Sequence, residues 1–308
     1  MLAGLDAYTS TFLSALNTTE NRINTANEQL SSGYRVNQPS DDPGAIEAIL
    51  GYQSQIDQVT QTQSNLSQAT TMSNVADSAL STASNMLNQL SSIATEGASS
   101  TSSATQNASL GQQVQGILKQ LVSVANTSFN GSYVFGGDDP TTQPYTFNWS
   151  VPGGVVQNNT ASVTVAVTNS DGDSLVIPPQ TAQQIFDARN ADGSVAASNI
   201  FQNVYALGQA LQSNNQAGIQ AAASSITTSI VQLGQATTAS GVTLNWLQQS
   251  SSSATSKLTS LQSQLSGLRD ADAAQAATDL QTAETAQQAA IAAHGTLTNL
   301  KSLFSYFG

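Results

Sequence analysis

The chain has 308 residues with seven Lys or Arg and 19 Asp or Glu, so its formal net charge is −12. Because phosphate recognition needs clustered basic side chains, this balance excludes nucleic acid as a partner. The absence of Cys excludes a disulfide framework and a thiolate metal site. No apolar run is long enough to span a membrane, and the N-terminal residues before Arg22 lack the basic residues and compact apolar core of a cleavable signal peptide.

Charged residues make up only 8% of the chain, against about 25% in an ordinary globular protein. The outer faces of its helices can therefore pack against neighbours without burying many charges.

Residues 2–30 carry apolar or small side chains at alternating spacings of three and four. This spacing is typical of the seam of a coiled-coil helix. The seam positions are Leu2, Leu5, Thr9, Phe12, Leu16, Thr19, Ile23, Ala26 and Leu30. A single stripe on one helix cannot be buried alone, so this helix needs a partner.

Residues 30–45 contain the signals that end one helix and begin another. Gly33 adopts a positive φ at no steric cost and so predicts the end of the first helix. Asp42 is predicted to cap the next helix, with Pro43 at its first position. A second acid, Asp41, also suits the positive end of that helix. We therefore expect a rigid elbow between two helices.

The segment after the elbow predicts a long helix over residues 44–96 and a flexible loop over 96–107. A third helix then carries a regular apolar spacing at Leu110, Val114, Ile117, Leu121 and Val124.

From about Asn130 the composition changes to Pro, Gly, aromatic residues and Val. In this β-rich region Val163, Val165 and Val167 alternate as in a strand, and Asp171-Gly172 predicts a turn into Leu175-Val-Ile177.

Proline is absent from residue 180 onward, which favours helices. One helix is predicted around residues 201–211, with a break at 213–215 before the next. Near residues 269–272 the apolar pattern shifts its phase, and a new stripe begins. Its members are Ala283, Ala286, Ala290, Ala293, Leu297, Leu300, Phe304 and Phe307.

These elements predict a mainly α fold: an elongated helical bundle whose N- and C-terminal helices pair as a coiled coil, with a small inserted β-rich domain. Residues 1–43 would pair with 268–308, residues 44–130 and 181–267 would form the bundle, and 131–180 the β-rich domain. A lone helix pair is marginally stable, so the terminal helices should order mainly on contact with other subunits. This predicts a polymer.

The sequence contains few residues that could carry out catalysis. The single histidine, His294, lies in an Ala-rich helix and is better explained by packing, and no zinc-protease motif or nucleophile elbow occurs. Helix capping explains Asp41 and Asp42 better than a metal site does. A turn likewise explains residues 169–174 better than a calcium loop. We therefore predict no catalytic, cofactor-binding or metal-binding residues.

Three motifs near the N-terminus are familiar: Leu30-Ser-Ser-Gly33, Arg35-Val-Asn37 and Ser40-Asp-Asp42. Together with Asp270-Ala-Asp272 and Leu303-Phe-Ser-Tyr-Phe307 they resemble the terminal regions of the bacterial flagellin family, which includes flagellin-like hook-associated proteins. The resemblance implies a non-enzymatic structural subunit, exported unfolded without a cleavable signal peptide and assembled outside the cell.

Within that family, Pro43 stands where filament flagellins typically have alanine. Residues 126–137 also resemble the entry to the outer domain in members that join the hook to the filament, and residues 177–186 resemble a later stretch of the same members. A junction subunit is therefore favoured, with filament-forming flagellin as the alternative and a secreted binding module as a more distant one. The implied partners are other copies of the chain, flagellar axial proteins on the hook and filament sides, and an export chaperone.

The predicted subunit-interface residues are seam positions at both ends of the chain, with Arg35 and Asn37 in the elbow added by resemblance. The seam positions are Leu2, Leu5, Phe12, Leu16, Ile23 and Leu30, with Leu297, Leu300, Phe304 and Phe307.

Overall fold

The computed structural model describes residues 2–159, 166–176 and 180–299. In this part of the chain the fold is mainly α with a small β part, which confirms the predicted fold class. The helices are α1 (Leu2–Ser32), α2 (Pro43–Gly97), α3 (Ala104–Ala125), α4 (Ala182–Phe186), α5 (Ile200–Gln212), α6 (Gln216–Arg269) and α7 (Ala273–Asn299). A short 3-10 helix covers Pro152–Gly154.

The described strands form three separate antiparallel hairpins. They are β1 (Ser128–Phe129) with β2 (Ser132–Tyr133), β3 (Tyr145–Phe147) with β4 (Val155–Gln157), and β5 (Ala166–Thr168) with β6 (Ser174–Val176). The first hairpin turns at Asn130-Gly131, where φ is 50° and 81°, values that suit this residue pair. The predicted turn at Asp171-Gly172 is confirmed between β5 and β6, whereas Val163, Val165 and Ile177 lie outside the described residues.

Most predicted helix boundaries are confirmed, but the loop predicted for residues 96–107 is too long. Helix α3 begins at Ala104 because the Ser103 hydroxyl accepts a hydrogen bond from the backbone N–H of Gln106 at 3.2 Å. Asn107 is fully buried, and its side-chain amide donates to Asn214 at 2.7 Å. Asn214, with φ of 50°, lies at the predicted break between α5 and α6.

The chain divides into two compact units. The terminal unit contains residues 1–58 and 258–308, and the central unit contains residues 59–257. The three-part domain division derived from the sequence stays a prediction.

The central unit has a continuous apolar core. All five apolar residues predicted for α3 are buried in it, from Leu110 to Val124. Aromatic rings join the strands to the helices: Tyr145 of β3 packs edge-on against Phe201 of α5, with ring centroids 5.0 Å apart, and Phe186 stacks on Phe201 at 5.6 Å. Strands and helices therefore share one core.

Helix α6 has an unusual outer surface. From Gln216 to Ser256 it carries no charged side chain. Its hydroxyls bond to the helix itself: Thr228 donates to the Ser224 carbonyl and Thr238 to the Gly234 carbonyl, four residues earlier in each case. With these hydroxyls satisfied, the threonine methyl groups contribute apolar area to a neutral surface.

Leu121→Ala should destabilise the central unit by about 2–5 kcal/mol, because Leu121 is fully buried and its truncation leaves a cavity. Chemical denaturation of the full chain measures this change. The control is Val231→Ala on α6, where the side chain is 57% exposed and the change should stay within about 0.5 kcal/mol. Equal effects of the two substitutions would contradict the core assignment.

Candidate functional site

The terminal helices α1 and α7 pack against each other in antiparallel directions. Near the elbow Tyr34 pairs with Asp270 in a β-bridge, whereas farther along the pair the ring of Phe12 stacks on His294. The ring centroids lie 4.1 Å apart and the ring planes differ by 9°. The predicted pairing of the terminal helices is therefore present within one chain.

The seam of this pair buries little apolar area. In residues 9–32 and 273–296 the buried residues are Ala26, Ala276 and Ala283. The larger predicted seam residues Phe12, Leu16 and Ile23 are only half-buried, and Leu30 is 38% exposed. A pair of helices held by alanines keeps much of its apolar seam accessible.

The phase predicted for α7 was partly wrong. Ala286 and Ala293 are exposed, whereas Gln287, Ala290 and His294 are half-buried. His294 occupies a seam position because its ring covers Phe12. Leu2, Leu5 and Leu297 belong to helices but their side chains are outside the described part, and Leu300, Phe304 and Phe307 lie beyond it.

The predicted elbow is confirmed in its main features. Helix α1 ends at Ser32, and Gly33 follows with φ of 76°. Asp42 caps α2 as predicted, since its Oδ1 accepts from the backbone N–H of Ala45 at 3.1 Å. Asp41 does not act at that helix end. Its Oδ2 instead accepts from the backbone N–H groups of Asn37 and Gln38 at 2.8 and 2.9 Å, because the turn brings these donors back to it.

A second helix break lies against this elbow. Helix α6 ends at Arg269, whose carbonyl oxygen accepts from the backbone N–H groups of Arg35 and Val36 at 2.7 and 3.2 Å. In return, the N–H of Ala271 donates to the Gly33 carbonyl at 2.9 Å. The two breaks thus satisfy main-chain groups that helix ends leave unpaired.

In the sequence alone, this second break is visible as a shift in the phase of the apolar pattern. A usable signal was present, because Asp272 is followed three residues later by Gln275, a spacing typical of helix starts. In the structure Asp272 Oδ1 accepts from the backbone N–H groups of Ala274 and Gln275 at 2.9 and 3.1 Å.

Two arginine side chains make further contacts between the two helix breaks. Arg35 donates through Nη1 to Asp42 at 3.0 Å and through Nη2 to the Leu268 carbonyl at 2.7 Å. The guanidinium of Arg269 lies 4.0 Å from the ring centroid of Tyr34, a cation–π geometry. Asn37 donates to the Tyr34 carbonyl at 3.0 Å. Arg35 and Asn37 thus make contacts within the chain, and their predicted role between subunits stays a prediction.

A buried polar cluster in the central unit was missed by the sequence analysis. The Asp187 carboxylate accepts from Asn199 at 2.6 Å, from Arg189 at 3.0 Å and from the Tyr145 hydroxyl at 3.2 Å. Burial, together with the charge of Asp187, raises the pKa of Tyr145 above its usual range, so this phenol stays protonated. The cluster ties β3 to α4 and α5. Tyr145 lies 42 residues before Asp187 in the sequence, so the cluster forms no recognisable motif.

The acidic loop at residues 169–174, for which a calcium site was the alternative, forms a turn. Asn169 Oδ1 accepts from the backbone N–H groups of Asp171 and Asp173, both at 2.9 Å, which closes the β5–β6 turn. Over the described ranges, no group of three or more His, Asp or Glu residues could hold a metal ion. None of the described helices has the length and apolar character needed to cross a membrane.

The Arg35 hydrogen bond, with a smaller effect of the Ala45 N–H, lowers the pKa of Asp42 below its usual 3.8. Asp42 therefore contributes to stability above that pH, and the contribution is lost as the pH falls through the lowered pKa. Arg35→Gln should raise the pKa of Asp42 towards its usual value, as followed by NMR titration of the carboxyl carbon.

Asp139 is the internal control for this titration, because its lowered pKa comes from hydrogen bonds with Thr142 and Thr141. It should titrate identically in both proteins. An unchanged Asp42 titration would mean that the hydrogen bond from Arg35 does not lower this pKa.

Comparison with known proteins gives a consistent set of relatives. Residues 6–139 match the family model of the bacterial flagellin N-terminal helical region. The flagellar hook-associated protein 3 of Escherichia coli (strain K12) is 31% identical over 182 residues, which is 56% of this chain and 55% of that protein. The chain therefore spans about half the length of the curated hook-associated protein that it matches.

Solved structures of flagellar proteins have a fold similar to that of this chain. The flagellar hook associated protein-3 from Legionella pneumophila matches with a TM-score of 0.60 and 19% identity, covering 72% of this chain and 98% of that one. The flagellar junction protein from Legionella pneumophila matches with a TM-score of 0.57 and 16% identity, covering 72% and 99%. In sequence and in fold, the chain is thus similar to the bacterial flagellin family and its hook-associated members, with the flagellin N-terminal helical region at residues 6–139.

Proposed function

We propose that the protein is a non-enzymatic structural subunit of the bacterial flagellum, which self-assembles through its terminal helices and joins the hook to the filament. The observation that carries this proposal is the thin seam between α1 and α7. The seam buries alanines and leaves Phe12, Leu16 and Ile23 half-exposed.

The energetics favour further helices around this pair. Each buried methylene contributes roughly 0.8 kcal/mol, whereas ordering each residue costs about 1–2 kcal/mol. The burial of three alanine side chains offsets little of the conformational entropy lost when the two helices are ordered. Exposed Leu13 and Ile291, at 51% and 54%, add apolar surface to the same pair. Packing against neighbouring subunits would cover this surface and stabilise both helices.

The similarity to hook-associated protein 3 supports a position at the hook–filament junction. In that position the partners are copies of the chain itself and axial proteins on the hook and filament sides. An export chaperone would keep the terminal helices from associating before export. The protein would act outside the cell, in the flagellum.

Filament-forming flagellin is the alternative, since the matched N-terminal helical region is that of bacterial flagellins. A secreted binding module that uses the β hairpins is the more distant alternative. Replacing the β5–β6 hairpin with a short Gly linker separates it from a scaffold: a scaffold still assembles, whereas a binding module loses its ligand.

Electron microscopy of concentrated purified protein, alone and with isolated hook ends, tests the junction proposal. We expect a short ring or cap that forms only on hook ends. Long filaments formed by the protein alone would contradict the junction role and favour a filament flagellin.

Leu16→Asp should block assembly, because it places a charge on the half-exposed apolar seam. The matched control is Asn17→Asp, which introduces the same charge one residue later at an exposed position and should assemble normally. Sedimentation measures assembly, and thermal unfolding checks that the central unit is unaffected. Normal assembly of Leu16→Asp would contradict the role of the seam.

A further inference from the structure

Arg22 lies beside the seam of the terminal pair. With Thr18, Thr25 and Gln29 it forms a stripe on α1 at spacings of four, three and four, next to the seam residues Thr19, Ile23 and Ala26. This stripe lines an open groove of about 360 Å³ that Asp279 of α7 completes. In coiled coils, the positions that flank the seam carry the charges that select the partner helix and its orientation.

The charges on this pair are unbalanced. In residues 9–32 and 273–296, Arg22 is the one Lys or Arg, whereas the acids are Glu20, Glu28, Asp279 and Glu284. The ion pairs in the described part of the chain use Arg35, Arg189, Lys257 and Arg269, and Arg22 takes part in none of them. Asp279, its neighbour in the groove, accepts a hydrogen bond from Gln275 at 3.1 Å.

We propose that this groove seats the terminal helices of a second copy of the chain, whose Glu20, Glu28 or Glu284 pairs with Arg22. The inference rests on the proposed self-assembly and names the contact that selects the neighbouring subunit. A second copy fits because its terminal pair carries Glu20, Glu28 and Glu284, whereas Arg22 takes part in no ion pair within the described part of its own chain. The same approach would also cover the half-buried side chains of Leu16 and Ile23 on the same helix.

Charge variants of the full chain test this contact by sedimentation with hook ends present. Arg22→Glu turns attraction into repulsion and should raise the protein concentration needed for assembly about five- to tenfold at low salt. The defect should shrink in about 0.5 M salt, where exposed charges are screened. Arg22→Lys keeps the charge and should assemble like the wild type. Since Arg22 is exposed, thermal unfolding of the monomer should not change in either variant.

Cysteine cross-linking identifies the partner, because the chain has no cysteine of its own. Arg22→Cys is mixed with Glu20→Cys, Glu28→Cys or Glu284→Cys, assembled, and joined with a short thiol cross-linker. We expect mixed dimers with at least one of the three, and none with Ser224→Cys, an exposed position in the central unit.

The outcomes separate this inference from the proposed function. Wild-type assembly with no mixed dimers, or with an Arg22→Glu defect that is absent or independent of salt, overturns the contact and leaves the structural role intact. A wild-type protein that assembles neither alone nor on hook ends overturns both.

Discussion

Main-chain hydrogen bonds between two helix breaks are the constraint on which the terminal unit depends. The Arg269 carbonyl accepts from the N–H groups of Arg35 and Val36, and the Gly33 carbonyl accepts from Ala271. Because each break satisfies main-chain groups of the other, the end of α1 and the start of α7 are held together, and the two helices run alongside each other in one register. The stacking of Phe12 on His294, many residues away, follows from that register.

The two units obtain their stability in different ways. The central unit has a core of large side chains, with aromatic rings that join strands to helices and a buried carboxylate whose hydrogen bonds come from three directions. The terminal pair has a seam of alanines flanked by half-exposed apolar side chains. The pair therefore gains little from burial within one chain and keeps apolar side chains accessible for further contacts.

Periodicity predicts the long helices because large apolar residues recur at spacings of three and four, with Ser, Thr, Asn and Gln between them. It fails in α7, where alanines occur on every side and carry no information about phase; the exposed Ala286 and Ala293 and the seam residue His294 show this. The helix ends at the elbow are predictable from Gly33 and Asp42, because each residue acts on a helix end within a few residues of itself in the sequence. The Asp187 cluster and the pairing of the two breaks are not, because their partners are brought together only by the fold.

The neutral surface of α6 has a consequence for the surroundings in which this protein can work. Between Gln216 and Ser256 no side chain gains or loses a proton over the ordinary pH range, and threonine hydroxyls bond to the helix's own carbonyls. A change of pH therefore alters no side-chain charge on this stretch of the helix, and the screening of side-chain charges by salt has none to act on there. In a medium of changing pH and ionic composition, the side-chain electrostatics of that face would stay nearly constant.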